Sequence, residues 1–348
     1  MVTSRKKLQG IHRVLAALEG AGKTLIVSHN NPDPDSLVSS IGLQRIFNRQ
    51  LSGEFSLGYS GIIGRSENKA LLKYSGGKFV PLDQLDLSSF DAMVMVDTQP
   101  GAHNHSIPSD APVRVVLDHH PRKKGNSESV EYADIRVRYG ATATMVFEFF
   151  EDLNLPISRK MATLFYYAIQ SETRNLGRDV CERDRLAFMK LFPIVDHQSL
   201  SRIENAQVNA SYFLYFHRAL EEAYIYGDVL FTFIGEVEDP DIIAEIADYF
   251  LRYEAINWSV CLGRYDGTLY ASLRSNDKRA RAGEVAITIA DGIGVAGGHG
   301  MTAGAQIALP EGDSGNGGTA ETVEDVRHRV LKTLKVSRRK RRKLLEIS

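Results

Sequence analysis

The chain has 348 residues, 43% of them hydrophobic and 24% charged, with a formal net charge of −1. That length favours two domains over one, the ordinary balance excludes wholesale disorder, and the near-neutral charge excludes a global field that recruits nucleic acid. Two distant cysteines, Cys181 and Cys261, make no disulfide framework. No window approaches the ~20 apolar residues of a membrane span, so a soluble, cytoplasmic protein with no membrane partner is expected.

The first twenty residues read as an amphipathic helix, because their basic start is followed by no apolar core long enough for a signal peptide. Short β-branched runs then alternate with helical patterns. The strands are expected over 24–28, 55–59, 92–96 and 113–117, and the helices over 36–49, 68–74, 142–152 and 159–169. This alternation predicts an α/β lobe with a mostly parallel sheet. Residues 183–222 read as helix with no glycine-rich linker. A smaller second α/β lobe follows, with strands over 229–234, 258–264 and 269–274 and a helix over 240–253. A glycine-dense segment over 291–304 precedes a last strand at 306–309, a flexible loop at 313–318 and a final helix at 323–334. The expected division is a first domain over 1–185, a helical connector over 186–225, and a second domain over 226–348. The basic run Ser337–Lys343 reads either as a solvated helix end or as a contact for phosphates.

The chemistry-bearing residues of the first lobe follow its strands. Strand one runs into His29, Asp33 and Asp35; the third ends at Asp97; the fourth ends at Asp118-His119-His120. All fall at carboxyl ends, the edge where a parallel sheet binds its ligand. Four or more acids on one rim repel strongly in a partly dry cleft, and divalent cations remove that repulsion. Mixed carboxylates and imidazoles suit Mn²⁺ better than a structural Zn²⁺, with Mg²⁺ the alternative. The ligands outnumber the needs of one ion, which points to two ions sharing a carboxylate, the arrangement that clamps attacking and leaving oxygens in phosphatases and nucleases. Each motif alone also fits a solvated turn; their joint occurrence, each at a strand end and in order, favours a site. His103 and His105 read as loop histidines.

These motifs resemble the DHH phosphoesterase family, whose name-giving triplet stands here as Asp118-His119-His120. The family's His followed by Asp-x-Asp matches His29, Asp33 and Asp35, and its strand-closing Asp matches Asp97. The signature of the associated C-terminal domain matches Gly297-Gly298-His299-Gly300-Met301-Thr302-Ala303-Gly304. Within that family the chain resembles the nano-RNase/pAp-phosphatase branch and the related RecJ-like exonucleases. The resemblance implies that His29, Asp33 and Asp97 hold one ion. It implies that Asp35, Asp97, His119 and a fourth-motif acid hold the other, while Asp118 orients a histidine and His120 faces the scissile phosphate. The family carries Asp in the fourth motif; here Gln170-Ser171-Glu172-Thr173 places Glu172 there, with Asp179 a second candidate. Arg274 resembles a family substrate contact. With Gly297, Gly298 and His299 it would bind substrate, the bare glycine backbone admitting phosphate or nucleobase closely.

The function so implied is a metal-dependent phosphoesterase acting on short oligonucleotides or 3′-phosphoadenosine 5′-phosphate through a water activated by two ions. Two alternatives stay open. One is a polyphosphate or cyclic or linear dinucleotide phosphodiesterase of the same family. The other is a degenerate, non-catalytic nucleotide-binding module. A homodimer is compatible with the sequence.

Overall fold

The computed structural model describes residues 9–102, 104–123, 130–309, 317–338 and 341–345. The expected loop positions 313–316 and His103 lie outside them. The chain divides into two compact units, Met1–Ala206 and Gln207–Ser348.

In the first unit, helix α1 (Gln9–Leu18) leads into β1 (Lys23–Val27), α2 (Pro34–Gln50), β2 (Glu54–Tyr59), α3 (Ser66–Ser75) and β3 (Phe79–Pro81). Strands β4 (Ala92–Val96), β5 (Val113–Asp118) and β6 (Tyr132–Ile135) follow, then α4 (Thr142–Asp152), α5 (Arg159–Glu172), α6 (Glu182–Leu191) and α7 (His197–Glu204). The six strands form one sheet in the order β3-β2-β1-β4-β5-β6, parallel throughout. Every residue of β4 is buried, because both faces of the sheet are covered. Val94 and Val96 join the core built by α1, α2, α4 and α5, while Met93 and Met95 pack with Leu82, Ile107 and Ala111 from connecting segments. Burial on both faces is why these strands read as continuous apolar runs. The chain builds outward from β1 through β2 to β3, then returns to β4 on the other side of β1. The order therefore reverses between β1 and β4, a topological switch point where open α/β sheets bind ligands.

The second unit opens with α8 (Ala210–Glu221), β7 (Tyr224–Tyr226), β8 (Val229–Glu236), α9 (Asp241–Phe250), β9 (Trp258–Tyr265) and β10 (Thr268–Ser275). It continues through α10 (Ala282–Ala290), β11 (Gly294–His299), β12 (Thr302–Ala308), α11 (Gly317–Thr333) and β13 (Arg341–Lys343). Its sheet runs β11-β12-β10-β9-β8-β7-β13, antiparallel except for the β8–β9 pair. Alternation along β9 sends Val260 and Leu262 to the core shared with α10 and α11, and Cys261 to the core shared with α8 and α9.

Three local expectations change. The helical stretch read as a connector divides: Leu191, Leu200 and Ile203 of α6 and α7 bury in the first unit's core, whereas Tyr215 and Ala219 of α8 bury in the second's. Residues 294–299 of the glycine-dense segment are strand β11, paired with an earlier-starting β12. Arg341–Lys343 of the basic run form an edge strand against β7, with the Arg341 guanidinium 3.6 Å from the centre of the Tyr224 ring. The three residues stay exposed, as their charge predicts, but cation–π attraction and ladder hydrogen bonds hold them as a strand and not as a helix end. No described helix is long and apolar enough to cross a membrane.

Candidate metal centre

The switch point gathers the residues that follow β1, β4 and β5. Asp97 is the hub: its carboxylate is 3.5 Å from His29 Nε2, 3.5 Å from His119 Nε2 and 3.7 Å from His120 Nδ1. Its backbone takes φ +59°, a left-handed conformation that costs a non-glycine residue on the order of 1 kcal/mol and clusters at functional sites. The strain is held by the ladder, since Asp97 N–H still donates to Leu117 O at 2.8 Å. Asp33 caps α2, accepting from Ser36 N–H at 2.9 Å with Pro34 opening the helix. The cap leaves its Oδ1 3.8 Å from His29 Nε2.

Both flanking histidines are oriented by carbonyls. His29 Nδ1 lies 2.9 Å from Asn30 O, and His119 Nδ1 lies 3.0 Å from Tyr139 O. A carbonyl only accepts, so Nδ1 donates in each ring and Nε2 faces the acids, the arrangement usual for ligating imidazoles. His119 Nε2 is buried with no hydrogen-bond partner, 3.5 Å from Asp97 Oδ1 and 3.9 Å from Asp35 Oδ2. A bare imidazole nitrogen facing two carboxylates calls for a cation between them, so the donor set fits a divalent ion. Ligand atoms of His29, Asp33 and Asp97 lie within 4.8 Å of one another, as do those of Asp97, His119 and His120.

The acids perturb one another. Burial raises the Asp35 pKa well above the usual carboxylate range, and Asp97, Asp33 and Glu172 raise it further. This holds although Thr142 N–H and Ala143 N–H, at the start of α4, donate to its two oxygens at 2.8 and 2.7 Å. Burial acts the same way on Asp97, but His29, His119 and His120 outweigh it and hold Asp97 well below its ordinary value. Burial likewise opposes ionisation of Asp33, where His29 prevails and lowers the pKa. His29 is desolvated, yet Asp33 and Asp97 raise it well above 6.5. Glu172 is raised by burial and then by Asp33 and Asp97, which places it within the same field. Its Oε1 is 3.1 Å from Arg178 Nη2. Asp179 stands apart, 87% exposed.

Asp118 orients His120: its Oδ1 accepts from both His120 N–H and Nδ1 at 2.9 Å. Burial lowers the His120 pKa, but Asp118 and Asp97 overcome that and push it up to about 9. Asp118 Oδ2 accepts from Gln99 Nε2 at 2.7 Å. Residue-type reading missed Gln99, Tyr139 and Thr142, whose Oγ1 donates to Asp97 Oδ1 at 2.9 Å. Only the apolar-strand-end position of Asp97-Thr98-Gln99 hinted at Gln99; nothing local marks the other two.

The remaining candidates lie in the second unit. Register aligns His299, Thr302 and Arg274 at one level of β11, β12 and β10; the His299 side chain lies outside what the structure describes. Arg274 Nε donates to Asp248 Oδ1 at 3.0 Å and Nη1 to Leu273 O at 3.0 Å, so the guanidinium is already engaged within its own unit. Gly298 takes φ +150°, and a Cβ there would meet Thr302 O at 2.4 Å, so only glycine fits. A Cβ on Gly297 would meet nothing within 4 Å; there glycine exposes backbone rather than relieving crowding.

Residues 23–169 match the DHH family, N-terminal domain. The chain is 28% identical over 287 residues to an uncharacterized protein of Methanocaldococcus jannaschii, covering 82% of this chain and 58% of that one. It is 27% identical over 176 residues to a probable manganese-dependent inorganic pyrophosphatase of Listeria monocytogenes, covering 50% of this chain and 56% of that one. The chain thus spans less than three-fifths of either relative. Among solved structures, an exopolyphosphatase-related protein from Bacteroides fragilis shares the fold at a TM-score of 0.68 and 18% identity, covering 94% of this chain and 96% of that one.

Proposed function

We propose, for a chain whose N-terminal unit is a DHH-family domain, that it is a divalent-metal-dependent hydrolase of phosphoester or phosphoanhydride bonds, with Mn²⁺ the preferred ion. The observation that carries this is the cluster around Asp97, in which the partnerless Nε2 of His119, and His29 Nε2 beside it, face carboxylates at the switch point of a parallel sheet. Bound divalent ions supply Lewis-acid charge for phosphoryl oxygens. His29, Asp33 and Asp97 would hold one, and Asp35, Asp97, His119 and Glu172 the other. Asp118 fixes the ring of His120 through Nδ1, so Nε2 is the nitrogen that would meet a phosphoryl oxygen.

For the substrate, the reading favoured is a short oligonucleotide or 3′-phosphoadenosine 5′-phosphate, supported by the exposed backbone at Gly297 and the obligatory glycine at Gly298 on one strand. Within the second unit, Arg274 and His299 would be the substrate-binding side chains, Arg274 exchanging Asp248 for phosphate. The second reading, inorganic pyrophosphate or polyphosphate, is favoured by the likeness to the Listeria enzyme. The test is turnover of the purified full chain with Mn²⁺ on di- to pentanucleotides, 3′-phosphoadenosine 5′-phosphate, pyrophosphate, polyphosphate and bis-p-nitrophenyl phosphate. Chelator-sensitive release from a nucleotide supports the first substrate reading and release from pyrophosphate the second. His299→Ala should weaken nucleotide hydrolysis more than that of the activated ester. No metal-dependent release from any of them refutes the proposal.

A further inference from the structure

One short segment, residues 139–143, touches three groups of the candidate metal centre. Tyr139 O accepts from His119 Nδ1. Thr142 Oγ1 donates to Asp97, and the N–H groups of Thr142 and Ala143 donate to the two oxygens of Asp35. The segment is itself pinned by a carboxylate 44 residues along the chain. Asp184, in α6, has no exposed surface. Its Oδ2 accepts from Gly140 N–H at 2.8 Å and Cys181 N–H at 2.9 Å, and its Oδ1 accepts from Thr144 Oγ1 at 2.7 Å. Gly140 is also tightly surrounded at its Cα. A Cβ there would stand 2.8 Å from Thr173 Cγ2, 2.9 Å from Asp179 O and 3.1 Å from Asp184 Oδ2, and Thr173 directly follows Glu172.

We propose that Asp184 is a positioning residue of the metal centre. By locking residues 139–143 it aims His119, Asp35 and Asp97 together, and so sets affinity for the ion those three would hold, without touching it. The proposal rests on the metal-dependent reading above. A buried carboxylate is a costly structural element, and an apolar side chain of similar volume would often be as stable or more so. What Asp184 adds is direction: charge-assisted bonds of defined geometry to two backbone N–H groups and one hydroxyl. Groups that orient metal ligands from behind commonly account for about 10–100-fold in metal affinity.

The experiment is Mn²⁺ titration of the full chain by calorimetry, with thermal unfolding of the chelated protein alongside. Wild type should take two equivalents. Asp184→Ala should weaken the equivalent held by Asp35, Asp97 and His119 about 10–100-fold and the His29–Asp33–Asp97 equivalent less, since of its three ligands only Asp97 is bonded to the segment. Asp184→Asn should restore both, because its amide oxygen still accepts the two N–H groups and its NH₂ can donate to Thr144 Oγ1. If Asp184→Ala fails to fold, Gly140→Ala perturbs the same segment by crowding Thr173, Asp179 and the Asp184 carboxylate, and should show the same selective loss. Either alanine variant binding two equivalents with wild-type affinity overturns the proposal, as does a wild type that takes fewer than two. A wild type that takes two equivalents but hydrolyses no phosphoester refutes the activity and leaves the positioning role standing.

Discussion

Asp97→Asn tests the hub of the centre with almost no change in volume. Its amide oxygen can still accept from Thr142 Oγ1, now 2.9 Å from Asp97 Oδ1, and the chain retains the β4–β5 ladder, so the fold should persist. What disappears is the anionic ligand that both candidate ion sites share. The magnitude follows from linkage: an ion at a hundredfold excess over its dissociation constant stabilises the folded state by about 2.7 kcal/mol. A unit of the size of Met1–Ala206 shifts in Tm by about 2–4 °C per kcal/mol, so each ion should raise its transition by about 5–11 °C. Scanning calorimetry of wild type and Asp97→Asn, with Mn²⁺ and with chelator, reads this directly. Wild type should show the rise from two ions, and Asp97→Asn little or none. If the variant keeps the full Mn²⁺-dependent rise, Asp97 is not a shared ligand and the centre lies elsewhere.

Glu172→Gln should weaken one ion selectively and cripple turnover. Glu172→Asp should retain a measurable part of it with an altered Mn²⁺ to Mg²⁺ preference, since Mg²⁺ demands near-ideal octahedral placement; unchanged titration and full activity in Glu172→Gln would remove it from the ligand set. Proton linkage gives an independent check, because His29 is raised well above 6.5 and Asp35 well above the carboxylate range, while ligands bind metal deprotonated. Mn²⁺ affinity should therefore climb as pH rises above about 6.5, with proton release, measured by calorimetry in buffers of different ionisation enthalpy. In the chelated protein the sign reverses: the stability His29 contributes is complete below its unfolded value of about 6.5 and lost as pH rises through its raised folded value. A pH-independent Mn²⁺ affinity would contradict both.

The α/β class and the strand ends bearing His29, Asp97 and Asp118 were legible in the sequence, because β-branched runs and helical spacing report each element's own burial. The order of the motifs followed, and with it the edge of the sheet on which they stand. Strand order was not legible. Nothing in Ala92–Val96 says that its neighbour is Lys23–Val27 rather than β3, yet that pairing creates the switch point and brings Asp97 within 3.5 Å of His29. The start of α4 on Asp35 and the carbonyl of Tyr139 on His119 were equally hidden, since backbone N–H and C=O groups are the same in every residue. Arg341–Lys343 of the basic tail are exposed, as their charge predicts, but are not a helix end: only the Tyr224 ring and the open edge of β7 make them a strand. Local patterns record which face of an element is buried. Which elements meet, and therefore which side chains form a site, depends on contacts about a hundred residues apart, such as the 107 residues between Asp35 and Thr142, and these exist only once the chain has packed.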